Sequence, residues 1–387
     1  MALKGAKSLG IYMDYQGSTP EDPRVSAAMV PFQSLRYGNP HASNHAYGWD
    51  ADAAIADARL RIALAIGGEP DEIIFTSGAT EANNLAVIGA ARAAPLHRRR
   101  VLVSAIEHKC VLGAARSLER EGFTVETVPV DADGFVHPAD VAARIDERTA
   151  LVSIMAVNNE VGTIQPIAEI AAIVHAAGAI FHSDAAQALP VIPIDVAAMH
   201  VDLLSLSGHK AYGPKGIGAL YVGRHVTPRP RPLFHGGGQE GGLRPGTLPT
   251  PLCVGFGEAC EIVRAERNFE VEGIAKLRRE LLRRLQAAVP SVEVNGQSGH
   301  PGNLNLRFPE IDASVLLNDL QPSLAVSTGS ACTSGIPEPS HVLRAMGKTA
   351  EEAEQSIRLS IGRYTTWADV ERAADLISEA VHRLREI

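Results

Sequence analysis

Cysteine is scarce in this chain: among 387 residues there are four, Cys110, Cys253, Cys260 and Cys332, and no two form a Cys-x-x-Cys pair. That leaves no sign of a zinc-finger or redox-dithiol site, so no metal is expected. So few thiols in a long chain favour a reducing compartment over a disulfide-built secreted fold. Aromatic residues are also few, at 5%. Abundant alanine and glycine suit tightly packed α/β layers better than an aromatic-rich β sandwich. Positive charge is not in excess: the formal net charge is −8, and the one basic run is 97–100. Direct nucleic-acid binding therefore lacks an electrostatic basis. No apolar run approaches the roughly 18 residues of a membrane span. The N-terminal MALKGAKSLGIYMDY has two lysines but no apolar core of signal-peptide length. The expectation is a soluble, cytoplasmic protein that binds neither membrane nor nucleic acid.

What is present reads as a layered enzyme. Hydrophobic residues make up 45% and charged residues 21%, ordinary for a chain with a substantial core. The length favours about two to three domains. Strand-like segments at 73–76, 101–105, 124–128, 151–156, 179–183, 203–206 and 218–222 alternate with helical patterns, including 110–121, 138–145, 167–177 and 185–188. Such alternation predicts a mainly parallel, seven-stranded sheet with helices on both faces. The glycine- and proline-rich stretch 227–250 closes this large unit as an ordered loop. A long helix over 254–289 then leads to a smaller α+β unit.

In parallel α/β sheets, ligands sit at the carboxyl ends of the strands. There the chain places Thr76-Ser77-Gly78, Glu107-His108-Lys109, Asn158-Asn159-Glu160, Asp184 and Ser207 to Lys210. The turn Ser77-Gly78-Ala79-Thr80 opens a helix, whose free N–H groups suit an anion. By itself it reads equally as a plain helix cap. Lys210 stands in a glycine-rich turn between two strand-like segments, the rigid setting an imine-forming lysine needs. By itself it reads equally as a loop lysine. Together, an anion cradle, a ring at His108, a carboxylate at Asp184 and an amine at Lys210 match what pyridoxal 5′-phosphate requires. The carboxylate keeps the pyridine nitrogen protonated so that the ring can withdraw electrons.

These residues lie in FTSGATEANNLA, AIEHKCV, VNNEVGTIQPI, HSDAAQALP, SLSGHKAYGPKGIGALYV, LRPGTLPTP, STGSACTSG and IRLSIGR. With those motifs the chain resembles the cysteine desulfurases, in the aminotransferase class V group of fold-type I pyridoxal phosphate enzymes. The resemblance implies a large domain at 16–255 and a small domain formed by 1–15 with 256–387. It implies that Lys210 carries the cofactor, Asp184 pairs with the pyridine nitrogen, Gln187 meets the ring hydroxyl and His108 stacks on the ring and moves protons. Ala79, Thr80, Ser207 and His209 would hold the phosphate, with Thr247 reaching in from the partner of a homodimer. Asn159 would touch the cofactor and, with Arg363 and Asn39, orient the substrate. Cys332, in a run of small and polar residues that predicts an exposed loop, would take sulfur from L-cysteine as a persulfide and pass it to a protein acceptor. The other three cysteines read as inert packing residues.

The resemblance has departures. Gln239-Glu240-Gly241 stands where housekeeping members usually have His-Glu-Arg, and the chain stops soon after its last helix. A selenocysteine lyase or another class V aminotransferase-like enzyme is the alternative within the group. A non-catalytic sulfur-relay subunit is the alternative outside it.

Overall fold

The computed structural model describes residues 10–297, 299–329 and 338–386. Its central sheet follows from two-residue alternation. In Ile73, Phe75, Leu102, Val152, Phe181, Leu204 and Leu206 the side chains enter one core. Their neighbours Ile74, Val101, Val103, Leu151 and Leu203 enter another on the opposite face. Successive residues of a strand point to opposite faces, so strands covered on both sides are apolar throughout.

After the short strand β1 (Ile11–Tyr12), the sheet strands are β2 (Ile73–Thr76), β3 (Arg100–Ser104), β4 (Thr124–Val128), β5 (Thr149–Ser153), β6 (Ile180–Asp184), β7 (Leu203–Ser207) and β8 (Gly218–Val222). They are ordered β2-β8-β7-β6-β5-β3-β4. All run parallel except β8, which is antiparallel to β2 and β7. The expected seven-stranded, mainly parallel sheet is present. The helices before and between the strands are α1 (Pro23–Ser34), α2 (Ala46–Ile66), α3 (Ala79–Ala93), α4 (Lys109–Glu119), α5 (Pro138–Ala142) and α6 (Ile167–Ala176). The stretch 185–188, expected as a helix, is a run of turns instead. Asp184 Oδ1 accepts from the Ala186 N–H at 2.9 Å at the start of these turns.

The helix α7 (Thr250–Ala288) has 39 residues and so spans about 58 Å. Its buried residues follow helical spacing in two blocks. Cys253, Phe256, Cys260 and Val263 pack into the sheet's core, and Leu277, Leu281 and Leu285 pack into a second one. Close approach to α2 depends on Gly257, where a Cβ would stand 2.6 Å from the Ala58 Cα. The second core is covered by the antiparallel strands β9 (Glu293–Val294), β10 (Asn303–Arg307) and β12 (Ser356–Ser360), and by α8 (Ala313–Leu320) and α11 (Trp367–Arg385). The short α9 (His341–Ala345) and α10 (Ala350–Glu354) lead into β12. Met13 is part of this second core, and β1 pairs in parallel with β11 (Leu324–Ala325). The chain's first strand thus lies with its last third.

The loop 227–250 is tied down. Glu240, whose side chain is almost wholly buried, accepts from Arg59 Nη2 at 2.6 Å and from the Phe75 N–H at 2.7 Å. Arg244 reaches Glu81 at 2.8 Å.

Candidate active site

The strands β2, β6 and β7 end at Thr76, Asp184 and Ser207, at the mouth of one cavity of about 590 Å³. That size suits a small-molecule cofactor with its substrate. Ala79, Thr80, His108, Asn159, Asp184, Gln187, Ser207, His209 and Lys210 all line it. Nine positions from five separate stretches of sequence therefore meet at one place.

The floor is built by the turn from β2 into α3. Gly78 adopts φ 149° and caps the helix without a side-chain hydrogen bond. Glu81 folds back to accept from the Ser77 N–H at 2.6 Å. The opening N–H groups of α3 have no partner within the helix, and its dipole favours an anion there. His209 and Ser207 stand on the same wall. His209 Nδ1 lies 3.1 Å from Ser18 Oγ, and burial with Lys210 and Lys215 nearby lowers its pKa to about 4. It therefore acts as a neutral hydrogen-bonding group.

Asp184 is buried at the end of β6 and accepts from Asn83 Nδ2 at 2.7 Å. The same Asn83 nitrogen reaches Cys110 Sγ at 3.2 Å. His108 caps α4; its Nδ1 accepts from the Cys110 N–H at 3.2 Å and lies 2.9 Å from Cys110 Sγ. Burial lowers the His108 pKa, with Lys210 adding to the effect and Asp184 opposing it. Cys110 packs against the core on the sheet's opposite face, as expected of an inert packing residue, and its place at the cavity is an addition to that reading. It lines the cavity, and burial followed by the charge of Asp184 pushes its thiol up to about 12.

Lys210 closes a short 3₁₀ turn, Gly208–Lys210. Its Nζ donates to the Gln16 carbonyl and, at 2.7 Å, to the Gly17 carbonyl. Gln187 Nε2 also donates to the Gln16 carbonyl, at 2.9 Å. The segment from Asp14 to Ser18 therefore lies across the cavity, a role nothing in its sequence announced. Its only local signal was the turn-forming glycine at 17.

Three expected residues stand apart. Asn39 is exposed and its Oδ1 accepts from the His41 N–H at 3.0 Å. Thr247 is exposed and does not line the cavity of its own chain. The expectation that Arg363 faces the substrate is not met by the geometry. Its guanidinium pairs with Asp22 at 2.6 Å and with Glu270, and stacks on the Tyr212 ring at 4.1 Å. Arg358, five positions earlier in IRLSIGR, lines the cavity in its place. Cys332 lies outside the described residues; Ser327 and Gly329, shortly before it, line the cavity.

Glu107, placed at a strand end by the sequence but given no role there, is a buried acid next to His108. Glu107 Oε1 accepts from Ser104 Oγ at 2.7 Å and from the Met155 N–H at 2.6 Å, while Oε2 has no partner among the described residues. Burial raises its pKa from 4.5 to about 8, with the charge of Asp184 contributing. A raised carboxyl pKa means the folded state keeps a proton that the unfolded state has lost. Stability should therefore fall as pH rises across this window. In Glu107→Gln the loss should be smaller. Urea unfolding at pH 5.5 and pH 8 measures it, and an equal loss in both proteins would count against this reading of Glu107.

The aminotransferase class-V family matches residues 11–373. A human protein named cysteine desulfurase is 48% identical over 379 residues, covering 97% of this chain and 83% of its own. A solved structure named NifS-like protein superposes with a TM-score of 0.90 at 36% identity, covering 98% of this chain and all of the other. Another, titled SspA in complex with cysteine, gives a TM-score of 0.82 at 40% identity, covering 92% of this chain and all of the other.

Proposed function

This chain belongs to the aminotransferase class-V family, among its cysteine desulfurases, and from that premise we propose that it removes sulfur from L-cysteine with bound pyridoxal 5′-phosphate, leaving L-alanine and a persulfide on Cys332. The observation that carries the reading is the convergence of Lys210, Asp184, His108 and the α3 N-terminus on one cavity. This donor set fits the cofactor's aldehyde, ring nitrogen, ring face and phosphate in turn. Asn83 supports the fit, because it fixes the buried Asp184 carboxylate from the side.

Pyridoxal 5′-phosphate, when bound, withdraws electrons from the substrate's Cα. Lys210 Nζ would hold the aldehyde until the substrate's amine takes its place, and the freed amine would then accept the proton from Cα. Asp184 would hold the ring nitrogen, and Ala79, Thr80, Ser207 and His209 would hold the phosphate. Gln187 and Asn159 bound the ring and substrate. His108, neutral because it is buried, moves a proton at the reacting end of the substrate. Arg358 takes the substrate carboxylate. What supports it over Arg363 is its position in the cavity wall, with an Nε that has no partner among the described residues. The Cys332 thiolate attacks the substrate sulfur. An S–S bond forms, the C–S bond breaks, and its electron pair stays with carbon, which takes up a proton on the way to alanine.

We assign the functional unit to a homodimer in which the exposed Thr247 serves the neighbouring copy's phosphate. The persulfide sulfur goes to a protein acceptor. No helix among the described residues is long and apolar enough to cross a membrane, and a cytoplasmic setting is the matching proposal. The test is stoichiometry: purified protein supplied with the cofactor should release alanine and persulfide-level sulfur from L-cysteine in equal amounts. Alanine without transferable sulfur would overturn the desulfurase reading. Rapid turnover of selenocysteine with little of cysteine would move the protein to the lyases.

A further inference from the structure

Arg358 reaches the cavity from β12, and strand alternation decides its direction. Ile357 and Leu359 enter the second core, so Arg358 projects from the opposite face. Its side chain is only 5% exposed. Nη1 donates to the Asn159 carbonyl at 2.8 Å, and Nη2 donates to Asp14 Oδ1 at 2.5 Å. The main chain of Arg358 also pairs with Ser327, with N···O distances of 2.6 and 3.1 Å.

Asp14 is itself held firmly. Its carbonyl accepts from the N–H groups of Gly17 at 2.9 Å and Ser18 at 3.2 Å. A Cβ on Gly17 would stand 2.2 Å from Asp14 Oδ2, so the glycine makes room for this carboxylate. A guanidinium buried without a counter-ion is costly. A flexible arginine must also lose rotamer freedom before it can meet a carboxylate with two parallel N–H groups. Asp14 addresses both problems, because it balances the guanidinium's charge and fixes the plane of the fork in advance.

We propose that Asp14 is a positioning residue for substrate recognition: by pinning Nη2 it aims the remaining N–H groups of Arg358 at the α-carboxylate of the amino-acid substrate. This rests on the reading of Arg358 as the carboxylate ligand. Asp14 acts through Arg358 and takes no part in the sulfur chemistry, so its loss belongs in binding rather than turnover.

The test uses the cofactor-loaded enzyme with Asp14→Asn, Asp14→Glu, Arg358→Lys and the double variant Asp14→Asn/Arg358→Lys. Asp14→Asn should raise KM for L-cysteine about tenfold, the effect of one charge-assisted hydrogen bond, with kcat changed much less. The equilibrium affinity for L-alanine, which has the carboxylate but no sulfur, should weaken by the same factor. Asp14→Glu should recover part of the loss and supplies the comparison should Asp14→Asn not fold. The double variant should bind no worse than Arg358→Lys alone, because the pin has nothing left to aim. A fall in kcat at unchanged KM, or effects that multiply in the double variant, would overturn the role of Asp14. If Arg358→Lys leaves KM and alanine affinity unchanged, the carboxylate assignment falls with it.

Discussion

Cys332→Ser should abolish alanine formation from L-cysteine, by about 10³-fold or more, while the protein still folds and still binds its cofactor. A serine hydroxyl is far less acidic and far less reactive toward sulfur than a thiol, so the acceptor of the transferred atom disappears. Every residue assigned to the cofactor remains in place. No other described cysteine can substitute. Burial raises the thiols of Cys253 and Cys260 well above their ordinary range, and Cys110, although it lines the cavity, is pushed up to about 12. None of the three offers a thiolate near neutral pH. Alanine release and trapping of the protein persulfide together measure the effect. Ordinary turnover by the serine variant would remove Cys332 from the mechanism.

The second large effect is expected from Lys210→Ala. The substitution removes the amine that meets the Gln16 and Gly17 carbonyls at the centre of the cavity. Turnover should again fall by about 10³-fold or more, since both the covalent anchor and the Cα base are lost. Unlike the Cys332 variant, this one should also lose the visible absorbance of the lysine-bound cofactor. Phosphate contacts at α3 would still allow weak, reversible binding. The two variants therefore separate the two halves of the chemistry: a normal spectrum without alanine for Cys332→Ser, and neither for Lys210→Ala. An unchanged spectrum in the lysine variant would rule out its role.

Much of the site could be read from the chain because its parts are local. The turn after Thr76 is a strand, small residues and a helix start within a few positions, and Gly208, His209 and Lys210 directly follow β7. Strand ends in a parallel sheet face one side, so residues just past them converge without any knowledge of distant contacts. The segment from Asp14 to Ser18 could not be read this way. It is held at the cavity in part by contacts distant in sequence: Gln16 meets Ser360 Oγ at 3.0 Å and Asn303 Nδ2 at 2.7 Å, both supplied by the last third of the chain. The position of Cys110 at the cavity could not be read for a related reason. Its place beside Asp184 depends on α3 delivering Asn83 between them.

The amino-acid sequence by itself determined the layered sheet, through two-residue alternation, and singled out Lys210 as the candidate cofactor anchor, through residue types at strand ends. Only the tertiary structure favours one of the two arginines of IRLSIGR for the proposed substrate contact. Both are equally suited to a carboxylate by chemistry. Arg358 lies within β12, where the packing of Ile357 and Leu359 turns it toward the cavity. Arg363 lies past the strand's end, where Asp22 and Glu270 claim its charge. Strand register and partners distant in sequence make that choice, and neither is written in the seven residues themselves.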